Sequence, residues 1–300
     1  MADASGAPGA AVPTMNRVEM RAQGMLMQFL GLDSEAHRKK VHGALLQTYV
    51  AMVKALRPEV VLEIGAHEAR FSVSVRRAAK EEDLKVVAFE ANPDVWNTHQ
   101  ARLAKEGVEY RNLAVADRAG TLRFRVPLVR GQEGRTTGSL LEFSARMATE
   151  FVEHEVEAVR LDDQGFARAA LWIDVEGATR EVLAGAETTL GTCVAAFVEV
   201  EEDERWPGQM VADAVLDHFE SRGFAALLRD VQRDWQYNVL FVRKDLLFDH
   251  RITPFRRRYL AQLRHMAGLP GEVEQVHPAE ARKARRLAER KASRVAQART

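Results

Sequence analysis

"VLEIGAHEARFS", Val61 to Ser72, begins as an apolar run and turns on a single glycine, Gly65. A β-branched run, a glycine turn and a helical pattern through Phe71, Val75 and Ala78 read as strand, turn and helix, the opening unit of a parallel α/β sheet. A dinucleotide turn wants glycine at three places so that a pyrophosphate can sit on the helix start, and here His67 and Arg70 occupy the second and third. Gly65 alone lets the backbone come close to a ligand.

Such a turn suits an adenosine without phosphates, of which S-adenosylmethionine is the common form, and disfavours a nicotinamide oxidoreductase. Ligands of open parallel sheets lie beyond the carboxyl ends of the strands, which puts Glu63 to His67 at the crevice, with Glu63 available to the methionine end. The next strand ends in "AFEANP". Glu90 follows Gly65 by 25 positions, where a carboxylate's paired acceptors match the two ribose hydroxyls. Asn92 and Pro93 read as helix cap and first helical residue, a role that leaves Glu90 pointing into the crevice. In "RNLAVAD", Asn112 and Ala114 end a third strand, either beside a flat adenine or as a plain turn.

Further along, "WIDVEGA" ends a buried strand in Asp174 and Glu176, two residues apart and so expected on one strand face. "VEVE" repeats the device with Glu199 and Glu201. Carboxylates gathered at one sheet edge imply raised pKa values, a bound cation, or both. Methyl transfer to oxygen needs an alcohol proton removed and an in-line displacement aligned, so Asp174, Glu176 and Glu199 are the candidates for base and substrate holding. Capping of the next helix and pairing with Arg180 or Arg205 is the competing reading. The same three residues offer an all-oxygen Mg²⁺ site, which nothing else in the sequence supports, and no His/Cys spacing suggests zinc or iron.

Around these motifs the pattern is regular. A helical stripe of Val41, Leu45, Tyr49, Val53 and Leu56 precedes the first strand and stops at Pro58. Between Gly120 and Asp163, "TLRFRVPLV" and "HEVEAVRLDD" alternate at period two, which predicts an inserted hairpin, with Arg130 to Leu141 as a mobile loop over the site. A single helix is expected through Val182, Leu183, Ala186 and Leu190, another from Gln209 to Arg222. "FAALLRD" and "QYNVLFVRK" then pair as an antiparallel hairpin at the sheet edge. The expected fold is α/β: a seven-stranded, mostly parallel sheet with one antiparallel edge strand and helices on both faces. Residues 1–14 read as disordered, 15–58 as N-terminal helices, 59–248 as the main domain and 249–300 as C-terminal helices with a basic tail.

Composition narrows the class. The 300 residues hold 43 Lys/Arg and 43 Asp/Glu, but residues 277–300 carry eight basic against two acidic groups, which leaves 35 basic and 41 acidic in the body. The body is thus not a polyanion-binding surface. The tail lacks interleaved aromatics, which argues against sequence-specific nucleic-acid recognition; it leaves a second reading, an adenosyl-binding module whose tail recruits RNA, an anionic glycan or a membrane. One cysteine, Cys193, fits a reducing, cytoplasmic setting, and no run approaches a membrane span. A homo-oligomer is compatible with all of this. Trp206 and Trp235 either shape the acceptor site or are buried.

Taken in order, "VLEIGAHEARFS", "VVAFEANPDVW", "RNLAVADRAGTLRF", "GSL", "VRLDD", "LWIDVEGATREVLAGAETTL" and "FVEVE" resemble the FkbM family of S-adenosylmethionine-dependent methyltransferases, from about Val60 to Lys244. The resemblance implies a Rossmann-like class I fold and O-methylation of sugars, glycans or natural products. It sets Glu63, Gly65 and His67 at the first cofactor motif, Glu90 at the ribose acid, Asn112 and Ala114 at the third-strand motif, and Asp174 and Glu176 at the family's Asp-x-Glu-Gly; Ala66, Ser72, Asn92 and Asp174 complete the residues expected at the cofactor. Glu63, His67 and Ala69 replace the Asp, Asn and second Gly usual in the first motif.

Overall fold

The computed structural model describes residues 14–79, 84–129, 132–133, 138–142 and 150–270. The expected disorder of residues 1–14, most of the loop from Arg130 to Leu141, and the basic tail lie outside them, apart from Thr14 and residues 132–133 and 138–141.

Two helices precede the sheet. Asn16 caps α1 (Arg17–Phe29) in a reciprocal box with Glu19, each side chain accepting the other's backbone N–H. The stripe expected on α2 (Glu35–Leu56) is buried, and Arg57, with φ of 50°, ends the helix before Pro58. Tyr49 anchors α2 across the sheet, its hydroxyl donating to the carbonyls of Leu171 at 2.6 Å and Ala195 at 3.2 Å.

The main sheet contains β1 (Val60–Ile64), β2 (Lys85–Phe89), β3 (Glu109–Arg111), β8 (Ala169–Ile173), β9 (Ala195–Glu201), β10 (Phe224–Arg229) and β11 (Gln236–Arg243), in the order β10-β11-β9-β8-β1-β2-β3. The reversed strand expected at the edge is β11, antiparallel to both β9 and β10; it stands second in the order, with its hairpin partner β10 outermost. The chain moves from β1 outward to β3, then returns to lay β8 on the other side of β1. The order therefore switches between β1 and β8, where a crevice opens at the carboxyl ends.

The helices α2, α3 (Arg70–Ala79) and α8 (Thr253–Met266) bury one face of the sheet, and α5 (Thr179–Ala184), α6 (Glu187–Thr192) and α7 (Ala212–Ser221) bury the other. α4 (Pro93–Lys105) links β2 to β3. The inserted hairpin is present: β5 (Gly120–Val129) pairs antiparallel with β7 (Phe151–Val159) in a separate sheet that includes β4 (Ala114–Val115) and β6 (Gln132–Glu133).

Two local expectations change. The third strand splits after Arg111, because the Asn112 amide donates to the carbonyls of Glu90 and Ala91, turning the chain so that β4 joins β7 instead. The single helix after β8 is two short ones. At the break, a Cβ on Gly185 would fall 2.0 Å from the Ala116 carbonyl oxygen, so the inserted sheet packs directly on bare backbone there.

Candidate active site

One cavity of about 710 Å³ opens at the switch between β1 and β8, within the size range of small-molecule sites. Its β1–β2 wall is built by local turns. Gly65, at φ of 76°, and Ala66 both donate backbone N–H groups to the Phe89 carbonyl. A Cβ on Gly65 would lie 1.7 Å from the Asp174 carbonyl oxygen, so this glycine is required by the adjoining strand end as well as by any ligand.

Glu63 is buried and its carboxylate accepts the N–H groups of Phe71 at 3.4 Å and Ser72 at 2.8 Å, the first turn of α3. Burial pushes its pKa up to about 7 against the pull of those N–H groups. Its oxygens are therefore engaged with α3, although the residue still lines the cavity. The donors that a pyrophosphate would need at that helix start are already taken.

Glu90, also buried, accepts from the His67 N–H at 2.7 Å and the Asn92 N–H at 2.8 Å, and burial again lifts its pKa to about 7. Each carboxylate oxygen keeps a second acceptor position, and the residue faces the cavity. The His67 peptide is held from both sides, since its carbonyl accepts the Tyr110 hydroxyl. His67 and Ala69 have φ of 46° and 52°, the left-handed region that favours glycine or asparagine. Asn92 caps α4 through the N–H groups of Asp94 and Val95.

Gly65, Ala66, His67, Glu90, Asn92 and Ala114 all line the cavity. Ser72 and Asn112 do not: the first serves Glu63 with its N–H, the second ties the ends of β2 and β3 together.

Across the cavity stand Asp174, Glu176 and Glu199, with one carboxylate oxygen from each within 4.8 Å of the others. The expected strand alternation is not what joins them. β8 ends at Ile173, and positive φ at Glu176 (44°) and Gly177 (87°) folds the following turn back. Gly177 is required there because a Cβ would meet the buried Trp206 ring at 2.7 Å.

Burial raises all three pKa values, that of Glu176 to about 8, and mutual repulsion raises Glu176 and Glu199 further. The contact between Glu199 and Asp174 pushes Glu199 further up and pulls Asp174 down. No side chain caps α5, and neither Arg180 nor Arg205 pairs with the group: Arg180 donates to the Gly208 carbonyl, and Arg205 lies 3.6 Å over the Trp235 ring, while the arginine charge felt at Glu176 is that of Arg233. Three converging oxygens form a hard-cation donor set. Glu201 is not one of the three converging oxygens, being buried beneath Gln209, whose side-chain amide donates to it at 2.6 Å, but its charge still pushes Glu176 and Glu199 up.

Sequence reasoning missed His42. It sits on α2, read as a core helix, yet it lines the cavity and its Nδ1 lies 3.0 Å from Asp230 Oδ2. Nothing in the local sequence marks it, because Asp230 is 188 positions away and only the packing of α2 over β9 to β11 brings them together.

The family model for the "Methyltransferase FkbM domain" matches residues 63–226. Among curated protein sequences no match is found. Similar solved structures include an FkbM methyltransferase from Methylobacillus flagellatus KT, with 12% identity, a TM-score of 0.41, and coverage of 61% of this chain and 43% of that one. The magnesium protoporphyrin IX methyltransferase of Synechocystis PCC 6803, solved with bound SAM, shows 10% identity, a TM-score of 0.41, and coverage of 72% and 84%. The Burkholderia thailandensis 1,6-didemethyltoxoflavin-N1-methyltransferase shows 14% identity, a TM-score of 0.36, and coverage of 78% and 94%. Less than half of the first of these proteins is spanned by the present chain. No helix among the described residues is long and apolar enough to cross a membrane. With its strand order, its Glu90 wall and a family model matching more than half its length, the chain belongs to the FkbM methyltransferase family, whose cofactor is S-adenosylmethionine.

Proposed function

We propose that this methyltransferase transfers a methyl group to a hydroxyl of a saccharide, a glycan or a related natural product in the cytoplasm. The observation that carries this reading is the opposition, across one cavity, of a ribose-type acid and three clustered carboxylates. The chemistry of the lining fits the adenosyl cofactor. Glu90 keeps acceptor positions for a vicinal diol, Leu113, Ala114, Val115 and Phe124 offer a slot for a flat ring, and Glu63 already fills the α3 donors that phosphates would need.

S-adenosylmethionine supplies an electrophilic methyl group, so the protein has no leaving group to activate. What remains for the chain is to hold the acceptor, orient its oxygen and dispose of a proton. Buried carboxyls whose pKa values are raised suit that task, because such a group can donate as well as accept hydrogen bonds at the same wall, as a polyol requires. Aliphatic and aromatic side chains around them reduce competition from water.

The test is a screen of sugars, glycosides and polyketide alcohols with methyl-labelled cofactor, followed by location of the label. Label on oxygen supports the reading. Label on nitrogen or carbon of the best acceptor contradicts it.

A further inference from the structure

Asp230 is fully buried at the end of β10, and its carboxylate is held by three partners. The Asn238 backbone N–H donates to Oδ1 at 2.7 Å, the Asn238 amide donates to Oδ2 at 2.9 Å, and His42 Nδ1 approaches Oδ2 at 3.0 Å. The Gln232 and Asn238 side-chain amides also lie near the same ring nitrogen, at 3.2 and 3.4 Å. One ring nitrogen cannot both donate to Asp230 and accept from these amides; the carboxylate contact is the shortest of the three, and the Asn238 amide already donates to Asp230, so the geometry favours the ring protonated at Nδ1. The rings of Trp172 and Phe197 stand edge-on to the imidazole, both with centroids at 6.2 Å, and fix its plane.

A carboxylate that accepts the Nδ1–H hydrogen bond leaves Nε2 as the basic nitrogen, the logic by which a buried carboxylate orients a catalytic histidine. His42 lines the same cavity as Asp174 and Glu199. We infer that His42 is the base that removes the acceptor's hydroxyl proton at Nε2, that Asp230 is its positioning residue, and that the carboxylate trio holds the acceptor rather than deprotonating it. The inference rests on the methyl-transfer reading above. In balance, the hydroxyl proton goes to Nε2, the oxygen lone pair forms the C–O bond, and the C–S bond breaks with its electron pair left on sulfur as a thioether. The imidazolium then returns its proton to water.

The charged groups facing the ring are Asp230 from β10 and Asp174 from beyond β8, and both favour the imidazolium, while burial opposes it. The balance raises the His42 pKa, so the unprotonated base accumulates only above the usual histidine range.

¹⁵N NMR of the histidine rings in the full-length protein bound to S-adenosylhomocysteine tests the dyad without an acceptor. Wild type is expected to show the His42 proton on Nδ1 and a bare Nε2 above its pKa; Asp230→Asn should lower that pKa and erase the tautomer preference. A ring protonated at Nε2, or one indifferent to Asp230→Asn, overturns the inference. Using the acceptor from the labelled screen, His42→Gln is expected to lose about 100-fold in kcat, within the usual contribution of a general base, with S-adenosylhomocysteine affinity kept. Asp230→Asn should lose less and shift the alkaline rise of the pH profile. Full turnover in a folded His42→Gln protein overturns the inference. Failure of the wild type to bind S-adenosylhomocysteine would sink the methyl-transfer reading instead, and the tautomer of the free protein then decides the dyad alone.

Discussion

On the β1–β2 side of the cavity, Glu63 and Glu90 each accept two backbone N–H groups from neighbouring turns, whereas on the β8–β9 side Asp174, Glu176 and Glu199 have no backbone donor among the described residues and face one another. The first arrangement is rigid and self-contained. Its carboxylates brace the turn and leave a few acceptor positions for a ligand of fixed shape. The second has polar capacity left over, with burial pushing its carboxyls toward the neutral form, which fits the many-hydroxyl guest proposed above. On the function proposed above, one wall holds a constant partner and the other accommodates a changing one.

The sharpest way to break that comparison is at Glu90. Replacing it with Ala removes the carboxylate proposed to accept the ribose diol and frees the N–H groups of His67 and Asn92. Calorimetry should show S-adenosylmethionine affinity falling at least about 100-fold, which is about 2.7 kcal/mol. Near-native affinity in that variant would mean the ribose lies elsewhere.

A smaller effect separates the walls by pH. Burial raises Glu63 and Glu90 to about 7 and Glu176 to about 8, from an unfolded value near 4.5. Between those values the folded state binds more protons than the unfolded one, so the stability these groups contribute is complete below pH 4.5 and lost as pH rises through 7 to 8. The ligand-free protein should therefore melt lower at pH 8.5 than at pH 5.5. Glu176→Gln should narrow the gap, since the amide has no proton to lose. A gap that does not narrow would show that Glu176 ionises freely and that the acidic wall is well hydrated.

The smallest effect concerns the strained turn. His67→Asn places a residue tolerant of left-handed φ at a position with φ of 46°, and should stabilise the protein by about 0.5 kcal/mol, read as a slight rise in Tm. A fall would mean that the His67 ring, which lies 5.8 Å from that of His99, contributes more through packing than its backbone costs.

The same contrast explains what could be seen in the sequence. The cofactor wall is written in short strand–turn–helix stretches, so Gly65, Glu90 and the Asn92 cap were legible from order and spacing alone. Even there, the Glu63 contact with the α3 N–H groups needed the actual turn. The acceptor wall was legible only in part. The acidic residues announced themselves on buried strands, but they converge through positive φ at Glu176 and Gly177 rather than through strand alternation. His42 and Asp230 left no local trace, because a contact spanning 188 positions exists only after α2 has packed on the sheet. The break at Gly185 was hidden for the same reason, being set by the carbonyl of Ala116 from another element.

A crystal structure with S-adenosylhomocysteine tests the central claim most directly. The account predicts both ribose hydroxyls within hydrogen-bonding distance of the Glu90 carboxylate, the adenine near Ala114, and the sulfur turned toward the wall of Asp174 and Glu199. Density for the ligand with its ribose away from Glu90, or seated outside the crevice between β1 and β8, would contradict it.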